Sequence, residues 1–81
     1  MARVLLFGRL ADIAGWRERL FEPTPATLSA LRRQLEGLDP ALGEALAGKG
    51  VTAAVARAAV RGDVALSPGV EVAFMPPMSG G

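Results

Sequence analysis

The chain has 81 residues, 51% of them apolar, and its nine basic residues nearly balance its eight acidic ones. This length allows one small domain with a thin core, and the near-neutral charge provides no field to attract nucleic acid or anionic lipid. The chain contains no Cys, His or Tyr. Disulfides, thiolate nucleophiles, Ser–His or Cys–His dyads and most transition-metal sites are therefore excluded, which argues against a self-sufficient catalyst.

The sequence has no segment typical of a membrane span or a signal peptide. No apolar run approaches the roughly 18–20 residues that a membrane helix needs. The short apolar run after Met1 meets Gly8 and Arg9, which makes it a poor signal peptide. We therefore expect a cytoplasmic protein without membrane or nucleic-acid partners, folded as a single domain over residues 1–81.

The first quarter of the chain predicts strand, short helix and strand. The apolar run 3–7 is expected to be a strand covered on both faces, and 10–15 a helical turn that ends at Gly15. The segment 16–22 lies between Gly15 and Pro23. Apolar and polar residues alternate over part of it, which predicts a second strand. Trp16 is expected to pack in the core or at its edge rather than to bind a partner.

The clearest pattern predicts a helix over residues 28–38. Thr27 is a good N-cap residue and Gly37 is the expected C-terminal stop. Arg32 and Arg33 are expected on the solvated face. The apolar stripe is formed by leucines spaced three, four and three residues apart: Leu28, Leu31, Leu35 and Leu38.

The middle of the chain is less decisive. Asp39 and Pro40 predict a second helix that runs to about Leu46 and is ended by the run 48–50. The segment 51–60 has the alanines of a helix, but it lies between glycines and carries three valines, so helix and strand remain equal alternatives.

Two turns precede a final strand. The runs 61–63 and 67–69 are turn sequences, and Arg-Gly-Asp at 61–63 is better explained as a turn than as an adhesion motif. Residues 70–75 alternate cleanly and predict a strand, which Pro76 and Pro77 end.

The residues after this strand have the properties of an inserting tail. Pro76 and Pro77 favour an extended backbone, and Gly80 and Gly81 have no side chain, so they fit a channel too narrow for other residues. The four residues 78–81 reach roughly 13–14 Å when extended. The alternative interpretation is an ordinary frayed terminus.

Taken together, the chain resembles the β-grasp (ubiquitin-like) sulfur carriers, and among them the MoaD-type small subunit of molybdopterin synthase. Its ending is close to the family's Glu-Val-Ala-Phe-Phe-Pro-Pro-Val-Thr/Ser-Gly-Gly. Met75 replaces an aromatic residue of that pattern, and Val70 stands where the family usually has an acid. The resemblance is carried by residues 4–7, 30–32 and 53–55 and above all by 71–81.

The resemblance implies an α+β fold of the β-grasp type, a mixed sheet with one main helix packed across it. The first and last strands should be parallel neighbours, and 51–56 should be a strand despite its alanines. The expected core contains Val4, Leu6, Leu28, Leu31, Leu35, Val72 and Phe74.

The resemblance also implies that the chain is a non-catalytic sulfur-carrying subunit that binds no cofactor. A MoeB-type, E1-like enzyme would use ATP to adenylate Gly81, and a sulfurtransferase would supply the sulfur for a 1-thioglycine there. A MoaE-type large subunit, in a heterotetramer, would receive the tail and pass the sulfur to the pyranopterin precursor of the molybdenum cofactor.

The residues expected to serve this function fall into two groups. Met78, Ser79 and Gly80 would insert with Gly81 into the partner. The partner-binding candidates are Phe7, Met75, Pro76, Pro77 and, by analogy with the family, Ala59. Period two sends Leu5, Phe7, Ala73 and Met75 away from the helix, and apolar side chains on a solvent face are typical of a docking surface.

Three alternatives stay open. A ThiS-like carrier of the same fold could serve thiamine, cysteine or tRNA thiolation. A ubiquitin-like modifier would instead be conjugated to lysines. A purely structural interaction domain would carry no activated terminus.

Overall fold

A computed structural model describes residues 1–77, and the predicted flexible tail at 78–81 lies outside the described residues. Within 1–77 no helix is long and apolar enough to cross a bilayer. The elements, in chain order, are β1 Ala2–Leu6, α1 Arg9–Ala14, β2 Glu18–Phe21, α2 Leu28–Leu38, α3 Pro40–Leu46, β3 Thr52–Val55, β4 Ala58–Val60 and β5 Glu71–Met75.

The strands form one mixed sheet in the order β2-β1-β5-β3-β4. β1 and β5 lie side by side at its centre and are parallel, with Val4 opposite Val72. The other three pairings are antiparallel. The first and last strands are thus parallel neighbours, and the β-grasp fold predicted from the sequence is confirmed.

The core lies between one face of this sheet and the helices. All seven residues expected in the core are at most 3% exposed, and Leu10, Phe21, Leu42, Leu46 and Leu66 join them. The expectation that β1 is covered on both faces is wrong, because its burial alternates. Arg3 is exposed and Leu5 only half-buried, so the helices cover one side of the strand.

Helix α2 begins at a side-chain cap and ends at a backbone hydrogen bond from Asp39. The Thr27 hydroxyl accepts a hydrogen bond from the Ala30 N–H at 3.1 Å, which confirms the predicted N-cap. Gly37 is not the stop, because the helix continues through it to Leu38. Asp39 ends it: its N–H donates to Leu35 O, while its carboxylate accepts from Leu42 N and starts α3. Leu38, in the last turn, is 53% exposed and lies outside the core cluster.

The two arginines of α2 have different surroundings. Arg33 is exposed, as expected. Arg32 is half-buried, so the expectation of a solvated side chain is wrong for it. Its guanidinium carbon lies 5.1 Å from the centre of the Phe74 ring, and burial lowers the pKa of this side chain. The long stem of Arg32 therefore closes one side of the core while its charge faces an aromatic ring.

The ambiguous segment 51–60 is a hairpin. β3 and β4 pair antiparallel, and only Ala56 and Arg57 separate Val55 from its partner Ala58. Both turn residues have positive φ, 51° and 70°. The strand implied by the family resemblance is confirmed over Thr52–Val55, since sheet pairing overrides the helix propensity of its alanines.

Candidate functional site

One side of the sheet, here called the outer face, carries apolar side chains that no helix covers. Residues of the central strands alternate between the core and this side, so Leu5 and Ala73 point away from the helices. The strand register places one continuous row of residues across all five strands: Glu18, Leu5, Ala73, Ala54 and Ala59. Three neighbouring alanines, Ala73, Ala54 and Ala59, keep this row low from the central strand β5 to the β4 edge.

A second row contains the larger side chains of the outer face. Met75 pairs with Thr52 and is half-buried. Phe7 directly follows β1, its N–H donates to Phe74 O at 3.1 Å, and its side chain is 47% exposed. The outer face therefore combines a low region of alanines, which runs from β5 to the β4 edge, with the larger side chains of Phe7 and Met75 in the neighbouring row.

The two ends of the outer face differ in charge. At the end where β1 and β5 begin, Arg3 lies opposite Glu71, and its Nε is 2.8 Å from a carboxylate oxygen of Glu18. The hydrogen bond to Glu18 raises the pKa of the Arg3 guanidinium. The apolar residues Phe7 and Met75 lie at the opposite end. The chain leaves β5 at this apolar end.

Two glycines contact the prolines that follow β5. Gly8 has φ +57°, and a Cβ built on it would lie 2.9 Å from Pro76 Cγ. Gly50 has φ +86°, and its Cβ would lie 2.9 Å from Pro77 Cβ. Gly8 follows β1 and Gly50 precedes β3, which are the two neighbours of β5 in the sheet. Each proline is therefore held against one flanking loop, at a distance that leaves no room for a side chain.

A groove of about 480 Å³ adjoins this exit, between the outer face and α1. Its lining combines apolar and charged side chains, with Leu5, Phe7 and Gly8 on the sheet side and Asp12, Arg17 and Glu18 around them. Among the described residues, no group of three or more His, Cys, Asp or Glu side chains is placed to hold a metal ion. The groove is thus a recess with both apolar and charged walls.

The predicted site residues can now be placed. Phe7, Ala59 and Met75 share the outer face, and Pro76 and Pro77 lie at its apolar end. Their role in partner binding stays a prediction. Met78, Ser79, Gly80 and Gly81 lie outside the described residues.

Sequence reasoning missed three contributors. Ala54 was not assigned to a face, although the period-two pattern of β3 places it beside Ala73. Gly8 and Gly50 were treated only as breaks between elements. The available signal was their position directly after an apolar strand and directly before another, but their proline contacts depend on the fold.

The matching family model is that of the ThiS family, and it covers residues 4–81. The chain belongs to the ThiS family. This family comprises ubiquitin-like sulfur carriers of the ThiS and MoaD kind, which generally work with E1-like enzymes. A comparison with curated proteins finds no match.

Solved structures of similar fold come from Haloferax volcanii. The crystal structure of SAMP1 superposes with a TM-score of 0.85 at 29% identity, covering 99% of this ThiS-family chain and 98% of that one. A crystal structure of small archaeal modifier protein 1 gives 0.83 at 25% identity, covering 95% and 97%. The solution structure of the HVO 2177 protein gives 0.79 at 22% identity, covering 99% and 85%, which is a likeness of fold alone.

Proposed function

We propose that this ThiS-family chain is the sulfur-carrying small subunit of a molybdopterin synthase, with the carboxylate of Gly81 as the group that carries sulfur. The observation that carries the proposal is the family match, which runs through Gly80 and Gly81. The likeness of residues 71–81 to the MoaD-type ending supports molybdopterin synthesis as the pathway that the carrier serves.

The chemistry begins with a poor electrophile, because a carboxylate resists attack at its carbon. An E1-like enzyme would join the Gly81 carboxylate to the α-phosphorus of ATP, with pyrophosphate as the leaving group. Sulfur at the sulfide level would then attack the carbonyl carbon and displace AMP, which leaves a thiocarboxylate. The chain contains no Cys or His to perform these steps, so the partners would supply the catalytic groups.

In this proposal the outer face of the sheet binds the partner, and the residues beyond Pro77 deliver the sulfur. The apolar end of the outer face offers Phe7 and Met75 to a partner, and the chain leaves the sheet beside them. A large subunit docked on this face would receive the residues beyond Pro77 in its own active site. There the sulfur would pass to the pyranopterin precursor.

The test is a reconstitution with the E1-like enzyme, ATP, sulfide as the sulfur source and the MoaE-type subunit. Intact-mass spectrometry should show oxygen replaced by sulfur at Gly81, and molybdopterin should then form. Gly81→Ala and a variant extended by one residue after Gly81 should fold normally and lose sulfur transfer, since reacting atoms must approach within roughly 3–3.5 Å. Normal molybdopterin formation by the untrimmed, extended variant would refute the proposal.

A second candidate, a protein modifier, is favoured by the similarity to the small archaeal modifier protein. Both functions begin with adenylation, and they differ in the acceptor, a pterin or a lysine amine. The same reconstitution separates them when a cell lysate replaces the large subunit. A modifier would give peptides in which Gly81 is joined to lysine, whereas a carrier would give none. A ThiS-like role in thiamine or tRNA thiolation would form the thiocarboxylate but no molybdopterin.

A further inference from the structure

The contacts at the end of β5 form a two-sided support. Pro76 rests against Gly8 on the β1 side, and Pro77 rests against Gly50 on the β3 side. The prolines fix their own φ near −65°, so the remaining freedom of this segment is mainly in ψ. Contact with one loop on each side limits that freedom as well.

Small movements of this support change the direction in which the chain leaves β5. A Cβ at either glycine would need the facing proline to move by about half an ångström, since ordinary carbon contacts begin near 3.4 Å. A misplacement of about 1 Å can cost a factor of about 10² in rate.

We propose that Gly8 and Gly50 are positioning residues. They set the direction in which the chain beyond Pro77 leaves the outer face. The inference rests on the proposed function, in which that segment must enter a partner's active site. A partner that binds the outer face then receives the Gly81 carboxylate without having to order Pro76 and Pro77, which Gly8 and Gly50 already hold. The expected cost of a misdirected base is about tenfold in rate.

Other glycines with a positive φ lack the contact and serve as controls. Gly62 has φ +73° and Gly69 has φ +82°, and neither has an atom within 4 Å of an added Cβ. Gly62→Ala and Gly69→Ala therefore place an L residue at positive φ without meeting a proline. They compare most directly with Gly50→Ala at φ +86°, because Gly8 combines φ +57° with ψ −137°.

The kinetic experiment measures adenylation of the full chain by the E1-like enzyme at varied carrier concentration. Gly8→Ala and Gly50→Ala should lower kcat about tenfold with KM within about twofold, since the outer face still docks. The two controls should keep the wild-type kcat. Equal kcat values for the test and control variants would overturn the inference.

A second measurement is independent of any enzyme. Because the chain has no Cys, spin labels can be attached at Ser67→Cys and Met78→Cys alone. Gly8→Ala and Gly50→Ala should shift or broaden the label-to-label distance distribution, and the two control variants should leave it unchanged. If the wild-type chain is not adenylated, the proposed function fails while these distances still decide the positioning role. Identical distributions in all five proteins would overturn that role.

Discussion

Asp63 shows how one residue joins the loop before β5 to the main helix. Its carboxylate accepts hydrogen bonds from the backbone N–H and the hydroxyl of Ser29, each at 2.8 Å, and from Val64 N at 3.1 Å. The hydrogen bond from the Ser29 side chain is the largest of the effects that lower the pKa of Asp63 below its ordinary value of 3.8. The Arg-Gly-Asp run thus ends in a residue whose role is structural.

This geometry predicts how stability changes in acid. The folded pKa of Asp63 is depressed, so its contribution is fully present above the unfolded value of 3.8 and is lost as pH falls through the folded value. Urea unfolding of the wild type should therefore show a falling midpoint from about pH 5 downward. Asp63→Asn should be less stable near neutral pH and lose less over the same range. Parallel pH profiles for the two proteins would show that Asp63 contributes nothing to the acid response.

At the scale of elements, the β3–β4 hairpin carries a local strain. Its two-residue turn needs φ > 0 at both positions, and Ala56 and Arg57 occupy them. Turns of this kind prefer Asn followed by Gly, because other L residues cost roughly 1–2 kcal/mol in this conformation. The Ala56 N–H still finds a partner in Glu71 O at 2.9 Å, so the turn is anchored to β5.

The turn sequence can therefore be improved. The double substitution Ala56→Asn with Arg57→Gly should raise the free energy of unfolding by about 1 kcal/mol, since Asn tolerates positive φ better than Ala does and Gly has no Cβ to be strained there. The measurement is the urea midpoint at constant slope. Arg61→Gly is the matched control for the arginine change, because Arg61 is exposed and has no positive φ. It should be neutral or destabilising, and an equal gain there would assign the effect to lost charge.

Helix α2 and the β3–β4 hairpin show which parts of the fold could be predicted from the sequence. The range 28–38 of helix α2 was predicted because the Thr27 cap and the leucine spacing act within a few residues, although Gly37 was wrongly expected to stop it. The residue pattern left the hairpin at 52–60 undecided, since its turn lacks the Asn-Gly signal and its alanines favour a helix, and only the family resemblance implied its first strand. Its strands exist because β3 pairs with β5, a partner about twenty residues away.

At the scale of the whole molecule, the outer face and the chain exit form one asymmetric surface. Arg3 forms ion pairs with Glu18 at 2.8 Å and with Glu71 at 3.9 Å, so the end where β1 and β5 begin is charged. Phe7 and Met75 lie at the other end, where Gly8 and Gly50 hold the two prolines. The alternation of residues along β1 and β5 was enough to predict that Phe7 and Met75 share the outer face. The proline contacts could not be predicted, because they join three segments that only the fold brings together.

This asymmetry predicts that docking depends on the apolar end. Phe7→Arg should weaken binding to the MoaE-type subunit by at least about tenfold, because a guanidinium placed in a dry contact must be desolvated without a partner. Met75→Arg should act in the same direction. Isothermal titration gives the affinities, and circular dichroism checks that each variant folds.

Leu38→Arg is the control for this prediction. Leu38 is 53% exposed, close to the 47% of Phe7, but it lies at the end of α2 on the helical side of the sheet. A substitution there adds the same charge and removes a similar amount of apolar surface without touching the outer face. Its affinity should stay within about twofold of the wild type. If Phe7→Arg and Met75→Arg fold and bind as well as Leu38→Arg does, the partner does not dock on the outer face.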